Sequence, residues 1–185
     1  IRQYNERSVP MMLGSATTFN DIPKVFTKEN RKVIISEGRR GSEDEKFQKY
    51  WLKKQFGLDI GPGTNIRSNL ETGEFINSRR ITHLPDFEVW TEDFDGHSNG
   101  VYFSLKMITC AGGAQTRSIR EVAHHIKACV KHLKNYDSSI KFAFILDGKE
   151  LAKYLERFQN KIPEEFKKNF FIGPLKEFTL KWMHS

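Results

Sequence analysis

Two stretches decide how this sequence folds: His83-Leu-Pro-Asp-Phe-Glu-Val-Trp-Thr91 and Gly100-Val-Tyr-Phe-Ser-Leu-Lys-Met-Ile-Thr109. Both are rich in β-branched and aromatic residues and are separated by turn-forming residues 93–99, a pattern that predicts an antiparallel hairpin. Side chains two apart on a strand share a face, so Ser104 and Lys106 point together. Asp86, after Pro85 at the start of the first strand, can then converge with Lys106 at the sheet edge. A carboxylate is a hard oxygen ligand for Mg²⁺, and a lysine can position or activate a water and offset phosphate charge. The plain alternative for Asp86 is a turn residue after proline. For Lys106 it is a surface lysine, but Tyr102, Phe103, Leu105 and Met107 around it imply burial, where an ammonium needs a carboxylate partner.

Working outward, residues 1–41 read as an N-terminal arm punctuated by Pro10, Gly14 and Pro23, with a short strand at 32–36, and 42–185 as a single folded domain. Ser42 and Glu45 form an S-x-x-E capping box that predicts a helix to Phe56, with Phe47, Tyr50, Trp51 and Phe56 inward and Gly57 as its stop. Residues 59–80, carrying Gly61-Pro62-Gly63 and Glu71-Thr72-Gly73, fit either a loop or a loose hairpin. Residues 117–135 show helical spacing at Ile119, Val122, Ala123, Ile126, Val130 and Leu133, opened by a second box at Ser118 and Glu121. The apolar run 141–146 predicts a buried central strand ending in an Asp147-Gly148 turn. A helix at 149–159, a strand at 170–172 and a helix at 175–183 complete a mixed α/β sheet flanked by helices.

Composition bounds the function. Thirty Lys and Arg against 23 Asp and Glu give +7 and a pI near 9.4, a balance that favours polyanions. The absence of a long apolar run or a signal-peptide layout predicts no membrane partner and a cytoplasmic or nucleoid-associated protein. Cys110 and Cys129 are too few for a disulfide framework and read as thiols in a reducing compartment. Together with His124, His125 and His132 they invite a zinc site. Adjacent histidines point about 100° apart on a helix, however, and the paired ligand spacing of structural zinc is missing, so a solvated histidine face is the preferred reading.

Pro85-Asp86, Ser104-Leu105-Lys106 and the Ala111-Gly112-Gly113 entry into a basic helix together resemble the PD-(D/E)xK nucleases. Within that superfamily they are most similar to type II and type IIS restriction endonuclease cleavage domains, over roughly residues 42–172. The resemblance implies a restriction-endonuclease-like αβββαβ core with flanking helices. It implies Mg²⁺-dependent hydrolysis of double-stranded DNA, with Mn²⁺ as an alternative ion, by a homodimer or transient dimer; an RNA substrate also fits. Asp86 would hold the metal and Lys106 would assist the attacking water. The family's acid two residues before the lysine is here Ser104. Some S-x-K enzymes take that acid from the following helix, which makes Glu121, fifteen residues after Lys106, the preferred second ligand. Glu88 and the accessory acid Glu45 are the other candidates, and the capping boxes alone also explain Glu45 and Glu121. Arg117 and Arg120 would hold the phosphate backbone, assisted by Gln115 and Thr116. Two competing readings are a catalytically weakened DNA-binding module, motivated by Ser104, and an interaction domain whose charge serves solubility.

Overall fold

The computed structural model describes residues 40–80, 89–108, 113–148 and 150–185, the side chains of 40–47, 80 and 113–115 excepted. The expected arm and strand within 1–39, the segment 81–88, and Cys110 to Gly112 lie outside the described residues. The elements are α1 (Arg40–Phe56), β1 (Ile66–Ser68), β2 (Phe75–Asn77), β3 (Gly96–Ser98), β4 (Val101–Met107), α2 (Gly113–Asn135), β5 (Lys141–Asp147), α3 (Leu155–Gln159), β6 (Phe170–Gly173) and α4 (Leu180–His184). The main sheet has the order β3-β4-β5-β6, with β3 antiparallel to β4 and the other pairs parallel. Parallel β4 and β5 need a crossover, which α2 supplies. The protein is therefore a mixed α/β fold built on a mixed four-stranded sheet.

Alternation along β4 and β5 feeds two cores. Val101, Phe103, Leu105, Ala143 and Ile145 pack with Trp51 and Leu52 of α1 and with Leu175, Phe178 and Met183 near the C-terminus. On the other face Phe142, Phe144 and Leu146 pack with Val122, Ile126, Cys129 and Leu133 of α2, and with Phe158 and Phe170. The expectation of a buried central strand holds: residues 142–147 are all buried.

Several expected boundaries shift. The strand paired antiparallel with Val101–Phe103 is Gly96–Ser98, because Asn99 (φ 51°) and Gly100 (φ 77°) both take the left-handed conformation of a tight two-residue hairpin turn and pair Ser98 with Val101; of the strand expected at 83–91, residues 83–88 lie outside the described residues. The broad turn expected at 93–99 shrinks accordingly. The described end of the expected strand, Val89 to Thr91, runs instead along the first hairpin, with Leu70 N–H donating to Val89 O at 2.7 Å and Thr91 N–H to Ser68 O at 3.0 Å. Ser42 lies inside α1, which already begins at Arg40, and α2 begins at Gly113, so neither capping box marks its helix start. The stop is as expected: Gly57 has φ 70° and its N–H reaches Lys53 O at 2.8 Å. The expected helices at 149–159 and 175–183 each break into a 3₁₀ turn, Leu151–Lys153 or Leu175–Glu177, followed by a five-residue α-helix. Asp147 is the fully buried last residue of β5 and accepts from Gln48 Nε2 at 2.9 Å.

Of the two options for 59–80, the hairpin is realised as β1–β2, and its loop is clamped onto α2. Lys131 Nζ donates to Glu71 O (2.8 Å), Asn135 Nδ2 to Thr72 O (3.0 Å) and His132 Nδ1 to Gly73 O (2.7 Å), while Phe75 stacks on the His132 ring at 3.7 Å. Gly73 has φ 76°, and a Cβ there would lie 2.3 Å from the His132 backbone nitrogen. Gly73→Ala is expected to cost about 2 kcal/mol through strain and overpacking, read as a lower urea midpoint with unchanged m. An unshifted midpoint would show that the clamp yields without cost.

Candidate active site

Lys106 stands near the C-terminal end of β4 on the face that looks toward α2, as does Ser104, which is buried. Its Nζ lies 2.5 Å from Glu92 Oε2, with the two side chains 21% and 46% exposed. Glu92 is delivered by the extended segment 89–94, held against β1 by Thr91 Oγ1 accepting from Ser68 N–H (2.9 Å) and by Phe94 N–H donating to Ile66 O (3.1 Å). From α2, Glu121 lines the same cleft as Glu92, and its carboxylate accepts from Arg117 Nε at 2.7 Å. Two carboxylates lining one cleft make it a place where negative charge is crowded. Burial pushes the Glu92 carboxyl up, but the Lys106 hydrogen bond and charge outweigh it and hold Glu92 below the usual carboxylate range.

Two further ionisable residues back this cluster. His125 is fully enclosed, its ring 4.3 Å from Phe94 and 5.4 Å from Phe144. Burial takes it down to about 3, against the pull of Glu92 and with a small contribution from Lys106, so the imidazole is neutral at pH 7; among the described residues Nε2 has no hydrogen-bond partner. Asp95 lies one step beyond the Gly96–Phe103 pair, beside Ser104 across the hairpin, with its N–H on Phe103 O (2.9 Å). Its Oδ2 accepts from Leu105 N–H at 2.6 Å, and burial raises its carboxyl despite that bond and the charges of Lys106 and Lys49.

Glu92 and Glu121 open into a cleft of about 710 Å³ whose walls also carry Arg67, Leu70, Trp90, Arg117, Arg120 and His124. The structure thus brings together Lys106, Glu121, Arg117 and Arg120 from the expected set, with Ser104 buried on the same face of β4. Thr116 is exposed on the first half of α2. Asp86, Glu88 and the side chains of Glu45 and Gln115 lie outside the described residues. With Ser118 and Glu121 inside α2, the capping explanation of Glu121 is removed, and its carboxylate pairs with Arg117.

Sequence reasoning missed Glu92 and Asp95, and its reading of His125 as part of a solvated histidine face is overturned, since His125 is buried. The signal for Asp95 was the Asn99-Gly100 turn: counting back from it places residues 95–98 beside β4. The signal for His125 was its position one residue before Ile126 on the apolar stripe of α2. The histidines and cysteine of the zinc alternative diverge, with His124 at the cleft, His125 beneath Glu92, His132 at the hairpin clamp and Cys129 buried, its thiol pushed up by burial. Among the described residues no group of three or more His, Cys, Asp or Glu side chains is arranged to hold a metal ion, and no helix is long and apolar enough to cross a membrane. Compared with protein-family models, with curated proteins and with solved structures, the chain gives no match.

Proposed function

We propose that this chain is a metal-dependent endonuclease of the PD-(D/E)xK kind, hydrolysing phosphodiester bonds of duplex DNA. The observation that carries the reading is the pairing of the Lys106 ammonium with the Glu92 carboxylate at a cleft that Glu121 also lines, walled by Arg67, Arg117 and Arg120. A purely structural ion pair would sit in the core or scattered on the surface; this one opens into an arginine-lined cleft, in a chain of net charge +7. The β3–β4 hairpin, the α2 crossover and parallel β5 support a restriction-endonuclease-like core, with the β1–β2 hairpin standing apart as its own sheet.

Two carboxylates in one cleft, Glu92 and Glu121, fit Mg²⁺, which takes one or two protein carboxylates and completes its shell with water and substrate phosphate; Asp86 would add a third by the resemblance. When bound, such an ion lowers the pKa of water and polarises a phosphoryl oxygen. The residues supply the rest. Lys106 offers positive charge where the phosphate becomes more negative, Arg117 orients Glu121, and Arg117 and Arg120 hold the backbone in register. Cutting both strands needs two such sites, hence a dimer on DNA.

The test is a cleavage time course on long duplex DNA with Mg²⁺ or Mn²⁺, comparing the protein with Asp86→Ala and Glu121→Gln. Discrete fragments that disappear in both variants are expected. Replacing Arg117 and Arg120 together with Ala should reduce the slope of log affinity against log salt by about 2. The second reading, a binding module without catalysis, is favoured by Ser104 standing where the family has an acid. Salt-sensitive binding without cleavage under either ion would select it.

A further inference from the structure

We infer that Trp90 and Leu70 form a stacking subsite for an unpaired nucleobase, so that the nucleotide beside the scissile phosphate is read outside the base stack. The inference rests on the nuclease reading and specifies its substrate. Trp90 is half-buried and lines the cleft, yet it belongs to neither hydrophobic core. Among the described residues no aromatic ring packs on it and its indole makes no hydrogen bond. It is also held in place: Trp90 is bridged antiparallel to Asn69, and Leu70 N–H, in the turn that follows Asn69, bonds Val89 O at 2.7 Å, and both Trp90 and Leu70 line the cleft. A large indole positioned by backbone bonding but left out of the cores forgoes the burial that usually explains such a residue.

The surroundings say what it would take. The cleft is otherwise charged, with Arg117 and Arg120 contributed by α2 and the acid pair between. A ligand satisfying both features needs an anionic backbone and a flat apolar face within one nucleotide's reach. A nucleotide has both, and every base offers a π face. Bases inside an intact duplex are already stacked on their neighbours, so occupancy of the shelf requires a locally opened or single-stranded substrate.

The experiment uses the full chain in EDTA, so that no probe is cut, and compares three probes: dT12, a 12-base-pair duplex, and the same duplex with a single-nucleotide bulge. For the unaltered protein, dT12 and the bulged duplex are expected to quench tryptophan emission and to bind about tenfold more tightly than the perfect duplex. Trp90→Ala should abolish that preference and the quenching, and Trp90→Phe should keep most of the preference. Circular dichroism of each variant reports folding, which the position of Trp90 outside both cores predicts to be retained. If Trp90→Ala keeps the preference while Arg117→Ala weakens binding of every probe, the cleft binds nucleic acid but the shelf is not a base site, and this inference alone is overturned. If no probe binds with salt dependence, the nuclease reading falls and the inference with it.

Discussion

Lys106→Met is expected to slow DNA cleavage at least about a hundredfold while changing stability by less than about 1 kcal/mol. The separation follows from how Lys106 sits. Its pair with Glu92 is partly exposed, with Glu92 46% open, so solvent screens the attraction and the pair adds little to folding. Methionine keeps most of the aliphatic stem, and Glu92, 46% exposed, stays open to solvent. The substitution removes one positive charge beside the acid pair, at the place where charge develops on a phosphate undergoing attack. Single-turnover cleavage and urea denaturation of the same preparation measure both quantities. A variant cutting within threefold of the unaltered protein would remove Lys106 from the chemistry, and with it the strongest element of the nuclease reading.

Acidification from pH 7 to pH 4.5 is expected to cost roughly 2–3 kcal/mol through His125 alone. In the folded chain His125 titrates near 3, against 6.5 for an ordinary imidazole. Between those values the unfolded chain binds a proton that the native chain refuses. Stability is therefore complete above about pH 6.5 and is lost progressively as pH falls toward 3. Glu92, whose carboxyl is held low, adds loss in the same direction, at pH values below its unfolded pKa. Asp95 acts oppositely: its raised carboxyl lets the native chain hold a proton that the unfolded chain has released, so it gives back some stability as pH falls through its folded pKa. His125→Gln should flatten the decline between pH 7 and 4.5 in urea titrations. An equally steep decline in that variant would mean that another group carries the titration.

The sequence made some features readable and hid others for physical reasons. Residues 142–146 are apolar without interruption because β5 is covered on both faces, and that pattern alone places it at the sheet centre. The spacing on α2 is equally plain, since a helix packed along one side must repeat its apolar residues. Lys106 was recognisable because its neighbours are too apolar for a surface strand. Its partner was not: Trp90, Thr91 and Glu92 look like strand residues, and only the turn geometry at Asn99-Gly100 shows that β4 pairs with Gly96–Ser98 while Glu92 arrives from the adjoining segment. Both capping boxes misled because S-x-x-E occurs inside helices as well as at their starts, where the glutamate is available for i,i+4 pairs such as Arg117–Glu121.

The two-sided burial of β4 ties the site to the core through the length of one strand. Deleting a single residue between Gly100 and Lys106 would exchange the faces of the rest of the strand, driving the ammonium in among Leu52 and Ile145 and turning Leu105 out toward the carboxylates. Candidate site and hydrophobic interior are in that sense written in the same frame, and neither can drift by one position without spoiling the other. The exposed Asn99-Gly100 tip is under no such constraint. Descendants of this fold that differ in length along the hairpin should therefore carry their extra residues at that tip and leave the seven residues of β4 unchanged in number.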